Sequence, residues 1–213
     1  MTNTDADAQP GLTPDRWFAT PVWSRKVVEF ERVNNELLAH LAEIEQRAPR
    51  SLRRSNVGGW HSDDQLHQLP GFHEIAQIIG KTCAACAAHL NFDFEKFELV
   101  MKEMWLNKNA THQFNRAHLH PNSMLSGSYY VQTPENCGNI ELLDPVSLRT
   151  MNIYPTVGTK ATNRQQVEYP ADAGSLLIFP SWLQHSVQPN LGEGMRVSLS
   201  FNVSYRQKVT DNG

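Results

Sequence analysis

The chain has 213 residues, a formal net charge of −3, and 40% apolar against 19% charged residues, an ordinary balance for one globular domain. With no basic excess, a nucleic-acid binder is not expected. No apolar run reaches the ~18 to 20 residues of a membrane span, and the three cysteines, Cys83, Cys86 and Cys137, make no disulfide framework. The polar, acidic opening stretch lacks a signal-peptide core, so a cytoplasmic protein is expected.

Residues 1–10 carry almost nothing to bury and read as a frayed tail. Residues 11–213 read as a single domain, with helical support over about 30–92 and a β core over about 94–205. Pro21 biases Thr20 to Trp23 towards an extended conformation. A helix follows from about Glu31 to Ala48, with Val33, Leu37, Leu38, Leu41 and Ile44 on one face. The stretch 49–71, with three arginines, Gly58-Gly59 and Pro70, has loop chemistry. A second helix is expected from about Phe72 to Leu90, its apolar residues at helical spacing and Cys83 and Cys86 among them, which makes that C-x-x-C pair core packing.

From Phe94 onward short segments rich in Val, Ile, Tyr, Phe and Trp alternate with turn signals. Strands are expected at 96–107, 116–120, 125–132, 139–143, 149–154, 166–169, 175–179, 184–188 and 195–204. Many short strands at such spacing suggest a sandwich or barrel with the helices packed outside it.

Three features carry chemistry. The first is His118-Leu119-His120. On a strand, positions i and i+2 share a face ~6.5 to 7 Å apart, so the two imidazoles can chelate one metal ion. The second is His185, just beyond the apolar strand Leu176 to Phe179. The third is the last strand, where Val197, Leu199, Phe201 and Val203 alternate with Arg196, Ser198, Ser200 and Asn202. The apolar face belongs under the helices, so the polar face must line an interior cavity. A buried arginine there calls for an anion, and a carboxylate held by Arg196 and Ser198 would serve. Ser128, Tyr130 and Gln132 share one face of the strand after His118-Leu119-His120, and Asn107 shares a face with Trp105 on the preceding strand. His61, His67, His73 and His112 read as surface residues, with His61 and His112 as reserve ligands.

The pattern of His-x-His, a distal His and then Arg-x-Ser resembles the iron(II), 2-oxoglutarate-dependent oxygenases. It is most similar to a bacterial and phage subgroup through Ser55-Asn56-Val57-Gly58-Gly59-Trp60-His61-Ser62, Trp105-Leu106-Asn107, the stretch from His118 to Val131 that contains Ser126-Gly127-Ser128-Tyr129-Tyr130, and Gly138 to Pro145. The resemblance extends from about Thr20 onward. It implies a mainly β double-stranded β-helix, a cupin-like jelly roll of eight strands. It further implies Fe(II) on His118, His120 and His185, with 2-oxoglutarate as co-substrate on Arg196 and Ser198. Tyr130 falls where prolyl hydroxylases place a tyrosine against the co-substrate, and Asn107 is a further candidate. The usual triad holds a carboxylate. Here His120 fills that slot, unless Glu141 or Asp144 completes the site. The implied reaction is hydroxylation of a small molecule or peptide by dioxygen. A three-His cupin-type dioxygenase or isomerase that does not use 2-oxoglutarate is an alternative, as is a non-catalytic metal-binding sensor. Residues 51–69 are read either as a lid, with Trp60 and Asn56 over the pocket, or as a loop on the barrel wall. A homodimer is also open.

Overall fold

The computed structural model describes residues 18–146, 151, 154–160 and 163–209. The expected tail over 1–10, and the strand expected at 149–154 apart from Met151 and Tyr154, lie outside the described residues. Strand β1 (Trp23–Lys26) precedes helix α1 (Phe30–Arg47). Two short strands, β2 (Asn56–Val57) and β3 (Trp60–His61), and two 3₁₀ turns (Leu66–Gln68 and Pro70–Phe72) lead into helix α2 (His73–His89). Eight strands follow: β4 (Phe97–Asn109), β5 (Phe114–His118), β6 (Leu125–Gln132), β7 (Ile140–Leu143), β8 (Gln166–Tyr169), β9 (Ser175–Pro180), β10 (His185–Val187) and β11 (Arg196–Gln207).

They form two antiparallel sheets. The larger has the order β1-β9-β6-β11-β4-β3, the smaller β2-β5-β10-β7-β8. This is the jelly-roll arrangement of a mainly β protein. Both helices cover the outer face of the larger sheet. Val33, Leu37 and Leu41 of α1 and Ile75, Ile79, Cys83 and Cys86 of α2 join one core with Met104, Leu106, Leu125, Leu176, Ile178, Leu199 and Phe201 of the strands. Burial pushes the Cys83 thiol well above its ordinary pKa, which fits packing rather than reactivity. The Tyr129 hydroxyl, buried under α1, donates to Asn34 Oδ1 at 2.6 Å and ties that helix to β6.

Between the sheets, Ile140 and Leu142 of β7 meet Leu177 and Phe179 of β9 and Leu183 in a second core. This apolar plug closes one part of the sandwich, and polar residues line the remainder. Gly127 has no room for a side chain between its sheet neighbours β9 and β11, since a Cβ there would lie 2.3 Å from the Leu177 carbonyl oxygen and 2.4 Å from Phe201 Cζ. The segment 49–71 is more ordered than loop chemistry suggested. Gly58, at φ 83°, turns the chain between β2, which pairs with β5, and β3, which pairs with β4.

Two bulges change which side chains face inward. Asn202 opposes Glu103 while Val203 opposes Met101, leaving Lys102 as the extra residue. Val197 opposes Gln132 while Ser198 opposes Tyr130, leaving Val131 as the extra residue. A bulge reverses the alternation of its strand. Met101 and Leu99 accordingly pack on the helix-side core, whereas Glu103, Trp105 and Asn107 line the interior cavity. Gln132 leaves the face expected for it, is exposed, and donates to the Met195 carbonyl at 3.0 Å.

Candidate active site

The three histidines meet on the smaller sheet. His118 at the end of β5 opposes His185 at the start of β10 directly, and their ring centroids are 4.3 Å apart. His120 lies just beyond β5 rather than on it, held by its backbone N–H on the Ser181 carbonyl at 2.9 Å. Its ring is 5.0 Å from that of His118 and 5.2 Å from that of His185. One ligand nitrogen from each lies within 4.8 Å of the others, and this is the metal-capable group found among the described residues.

The donor set suits a divalent cation. His118 Nδ1–H donates to the Arg116 carbonyl at 2.7 Å, and His185 Nδ1–H to the Leu183 carbonyl at 2.9 Å. A carbonyl only accepts, so both rings keep a bare Nε2, the arrangement in which histidine binds metal. Burial holds all three imidazoles neutral. His118 is lowered mainly by desolvation, His120 is pushed down to about 4 by desolvation and then by His118, and His185 to about 3 by desolvation and its neighbouring histidines.

Neither proposed substitute carboxylate joins them. Glu141 accepts from Ser186 Oγ at 2.7 Å and Gln188 Nε2 at 2.9 Å. In β10 it is His185 and Val187 that line the cavity, so Ser186 and Glu141 sit on the opposite face of the smaller sheet. Asp144 is in the turn after β7, where it accepts from the Val146 N–H.

The cavity, about 520 Å³, runs from this triad to the larger sheet, a size suited to small-molecule sites. Its wall on the larger sheet is the polar face of β11, namely Arg196, Ser198, Ser200 and Asn202, with Ser128 and Tyr130 of β6 and Asn107 of β4. Arg196 is 1% exposed. Its Nη1 donates to the Cys137 carbonyl and to the Gln188 carbonyl, the latter at 2.9 Å, while Nη2 has no partner. The Tyr130 hydroxyl, raised by burial, lies near Ser128 but makes no hydrogen bond of normal length, and Asn107 Oδ1 has no partner, although Asn107 Nδ2 donates to Ser200 Oγ at 3.0 Å. Unpaired buried donors are costly. An anion that takes both Nη2 and the phenol would satisfy them, so the residues present fit a dicarboxylate co-substrate.

Some lining residues were not expected. His61 is buried rather than on the surface. Its ring stacks on Trp105 at 5.4 Å with a 9° interplanar angle, and Trp105 in turn tilts against His120 at 5.7 Å. Glu103 and Asp64 bring acids to the same cavity, Asp64 already paired with Arg54 at 3.0 Å. Strand alternation alone puts Glu103 on the face of Trp105 and Asn107, and that is the signal that marks it. Trp60 and Asn56 are not among the lining residues. Trp60 packs on the helix-side core with its indole N–H on the Ala48 carbonyl, and the Asn56 amide is used on Ser51 and Gly59. From the same segment it is Arg54, Ser55, His61 and Asp64 that reach the cavity.

Comparison with known proteins follows the same line. A family model described as "Putative 2OG-Fe(II) oxygenase" matches residues 103–202, a span that holds the three histidines, Tyr130, Arg196 and Ser198. No curated protein matches. Among solved structures, a prolyl-4-hydroxylase from Pseudomonas putida aligns with TM-score 0.61 and 16% identity over 89% of this chain and 94% of that one. HygX from Streptomyces hygroscopicus, with nickel and 2-oxoglutarate bound, aligns with TM-score 0.60 and 12% identity over 87% and 83%. The α-ketoglutarate-dependent carbocyclase SnoK from nogalamycin biosynthesis aligns with TM-score 0.64 and 11% identity over 91% and 85%. At such identities the structural likeness is one of fold.

Proposed function

We propose that this chain is a 2OG-Fe(II) oxygenase that hydroxylates a small molecule or peptide side chain, with His118, His120 and His185 holding the iron and Arg196, Ser198 and Tyr130 holding 2-oxoglutarate. One observation carries the reading. Two buried donors without partners, Arg196 Nη2 and the Tyr130 hydroxyl, line the same cavity as three neutral imidazoles. A metal protein that makes no use of 2-oxoglutarate has no need to bury an arginine in that wall.

When bound, iron and 2-oxoglutarate would supply, with dioxygen as the oxidant, the oxidative decarboxylation that releases succinate and carbon dioxide and places the second oxygen atom on the substrate. The chain's own residues do the rest. The guanidinium and the phenol orient one carboxylate of the co-substrate by charge-assisted hydrogen bonds. Ser198, opposite Tyr130 across the β6–β11 pair, adds a hydroxyl to the same end. The Arg116 and Leu183 carbonyls keep the His118 and His185 rings in the ligating tautomer. The wall formed by Trp105, His61 and Phe179 excludes water on the triad side.

Anaerobic addition of Fe(II) and then 2-oxoglutarate tests the reading. It predicts a visible charge-transfer band for the chelate and, on admitting air, slow succinate formation without substrate. Iron binding with no band, and no succinate, would overturn it. Among the described residues no helix is long and apolar enough to cross a membrane.

A further inference from the structure

The three histidines are not presented alike. His118 and His185 each donate Nδ1–H to a carbonyl. His120 Nδ1 instead faces the amide nitrogen Nδ2 of Asn202, at 3.3 Å. An amide nitrogen only donates, so the His120 nitrogen opposite it carries a lone pair. A neutral imidazole has one N–H, and on His120 that proton is therefore on Nε2. The two carbonyl-bound rings offer Nε2 to a metal, and this one does not.

The orientation of the Asn202 amide decides the matter, and one partner fixes it. Asn202 is 2% exposed. Its Oδ1 accepts from Ser126 Oγ at 2.7 Å, and Ser126 also meets Ser181 Oγ at 2.8 Å. A hydroxyl donates or accepts, so Ser126 would tolerate either orientation. Asn202 Nδ2 donates at 2.5 Å to Glu103 Oε2. A carboxylate only accepts. If the amide turned over, Oδ1 would face that carboxylate with no proton between them. Glu103, Asn202 and Ser126 are direct neighbours across β4, β11 and β6, and Glu103 faces inward in step with Trp105 and Asn107, just before the bulge at Lys102 reverses the alternation.

We propose that Glu103, acting through Asn202, is a positioning residue that holds the proton of His120 on Nε2, so that His118 and His185 are the standing metal ligands and His120 offers Nε2 only after the amide turns. Turning exposes Oδ1 to Nδ1, the proton moves from Nε2 to Nδ1, and no net protonation change is involved. His120 is then the ligand most easily released. The inference rests on the metal reading of the triad but not on 2-oxoglutarate.

The test needs neither substrate nor turnover. Two-bond ¹H–¹⁵N correlation spectra of the metal-free ¹⁵N-labelled protein at pH 7.5 report the tautomer of each histidine, with His120 assigned by the signals lost in His120→Asn. The expected pattern is Nδ1–H for His118 and His185 and Nε2–H for His120. In Glu103→Gln the new amide satisfies either orientation of Asn202, so the constraint is released. The Nδ1–H form of His120 should then appear beside Nε2–H, and Co(II) affinity should rise about tenfold, the lower end of effects seen for groups that orient metal ligands. Nδ1–H on His120 in the unaltered protein overturns the proposal, and so does an unchanged tautomer in Glu103→Gln. Failure of the unaltered protein to bind Co(II) while the tautomer pattern holds would instead overturn the metal reading.

Discussion

Replacing Arg196 by Met keeps the length of the aliphatic stem and removes the guanidinium from a site that is 1% exposed. In the absence of ligand the change gives up two hydrogen bonds to carbonyls, those of Cys137 and Gln188, but also removes a buried charge whose pKa is already lowered by desolvation. These effects oppose one another, so the ligand-free melting temperature should move little. The bound state differs. Charge-assisted hydrogen bonds are worth about 1.5 to 3 kcal/mol each, so loss of Nη2 alone weakens 2-oxoglutarate by about one to two decades, and loss of its long-range attraction adds to that. Ligand at 100 times its Kd stabilises the native state by about 2.7 kcal/mol. For a chain of this length each kcal/mol shifts Tm by about 2 to 4 °C. Nickel-loaded protein should therefore gain roughly 5 to 11 °C on saturation with 2-oxoglutarate. The Arg196→Met protein at the same concentration should gain about half of that if one decade of affinity is lost and about 1 °C if two are lost, with nickel affinity unchanged within threefold. A thermal shift retained in full by Arg196→Met would refute the reasoning. So would a parallel loss of nickel binding, because it would show that the arginine supports the fold of the site and not the co-substrate.

Further outcomes follow from the same geometry. His118→Ala should raise the Co(II) Kd by more than about 100-fold, whereas Glu141→Gln, on the opposite face of its sheet, should leave it within threefold; isothermal titration separates the two. The metal-free protein should lose stability in acid. His120 and His185 titrate at about 4 and about 3 when folded and near 6.5 when unfolded. The unfolded state therefore binds more protons below that value, so this stability is complete above about pH 6.5 and is lost as pH falls towards 4, at about 1.4 kcal/mol per unit of depression for each group. Urea midpoints measured between pH 8 and 4.5 test this, and a flat profile would contradict it. Tyr129→Phe leaves Asn34 Oδ1 buried without its donor. It should cost about 1 to 2 kcal/mol and several degrees of Tm, with metal and 2-oxoglutarate affinities unaltered.

Much of the site was legible in one dimension because strand alternation is a strict code. Arg196, Ser198, Ser200 and Asn202 share the cavity wall because nothing interrupts β11 between them. The paired histidines at 118 and 120 converge even though the strand ends at His118, since the Ser181 carbonyl continues to guide the backbone. What escaped the sequence depends on register. A bulge is a property of two strands together, so the turning of Met101 and Leu99 to the helix side and of Gln132 outward has no signature in either strand alone, whereas Glu103 is in step with Trp105 and Asn107. His61 was misjudged for a similar reason. Its burial comes from Trp105 on a strand more than forty positions away, and its own neighbours, Gly59, Trp60 and Ser62, do not announce it. The segment around Gly58 and Gly59 reads in the sequence as a loop, either a lid or part of the barrel wall, and its contribution to the cavity comes from Arg54, Ser55, His61 and Asp64 rather than from Trp60.

The two sheets divide the labour of the cavity. The histidines at 118 and 185 stand on the smaller sheet and the anion-seeking groups on the larger. The distance across which a co-substrate must reach is therefore set by whatever keeps the sheets apart. That spacer is the plug of Ile140, Leu142, Leu177, Phe179 and Leu183. Phe179 belongs both to the plug and to the wall, with its ring 4.6 Å from that of His185. The gauge of the cavity is thus written in apolar side chains, most of them aliphatic, with Phe179 as the one that meets a histidine of the triad. Shaving a methylene from the plug would change the fit between iron site and arginine before it changed either one, and chemistry and packing would fail in the same variant.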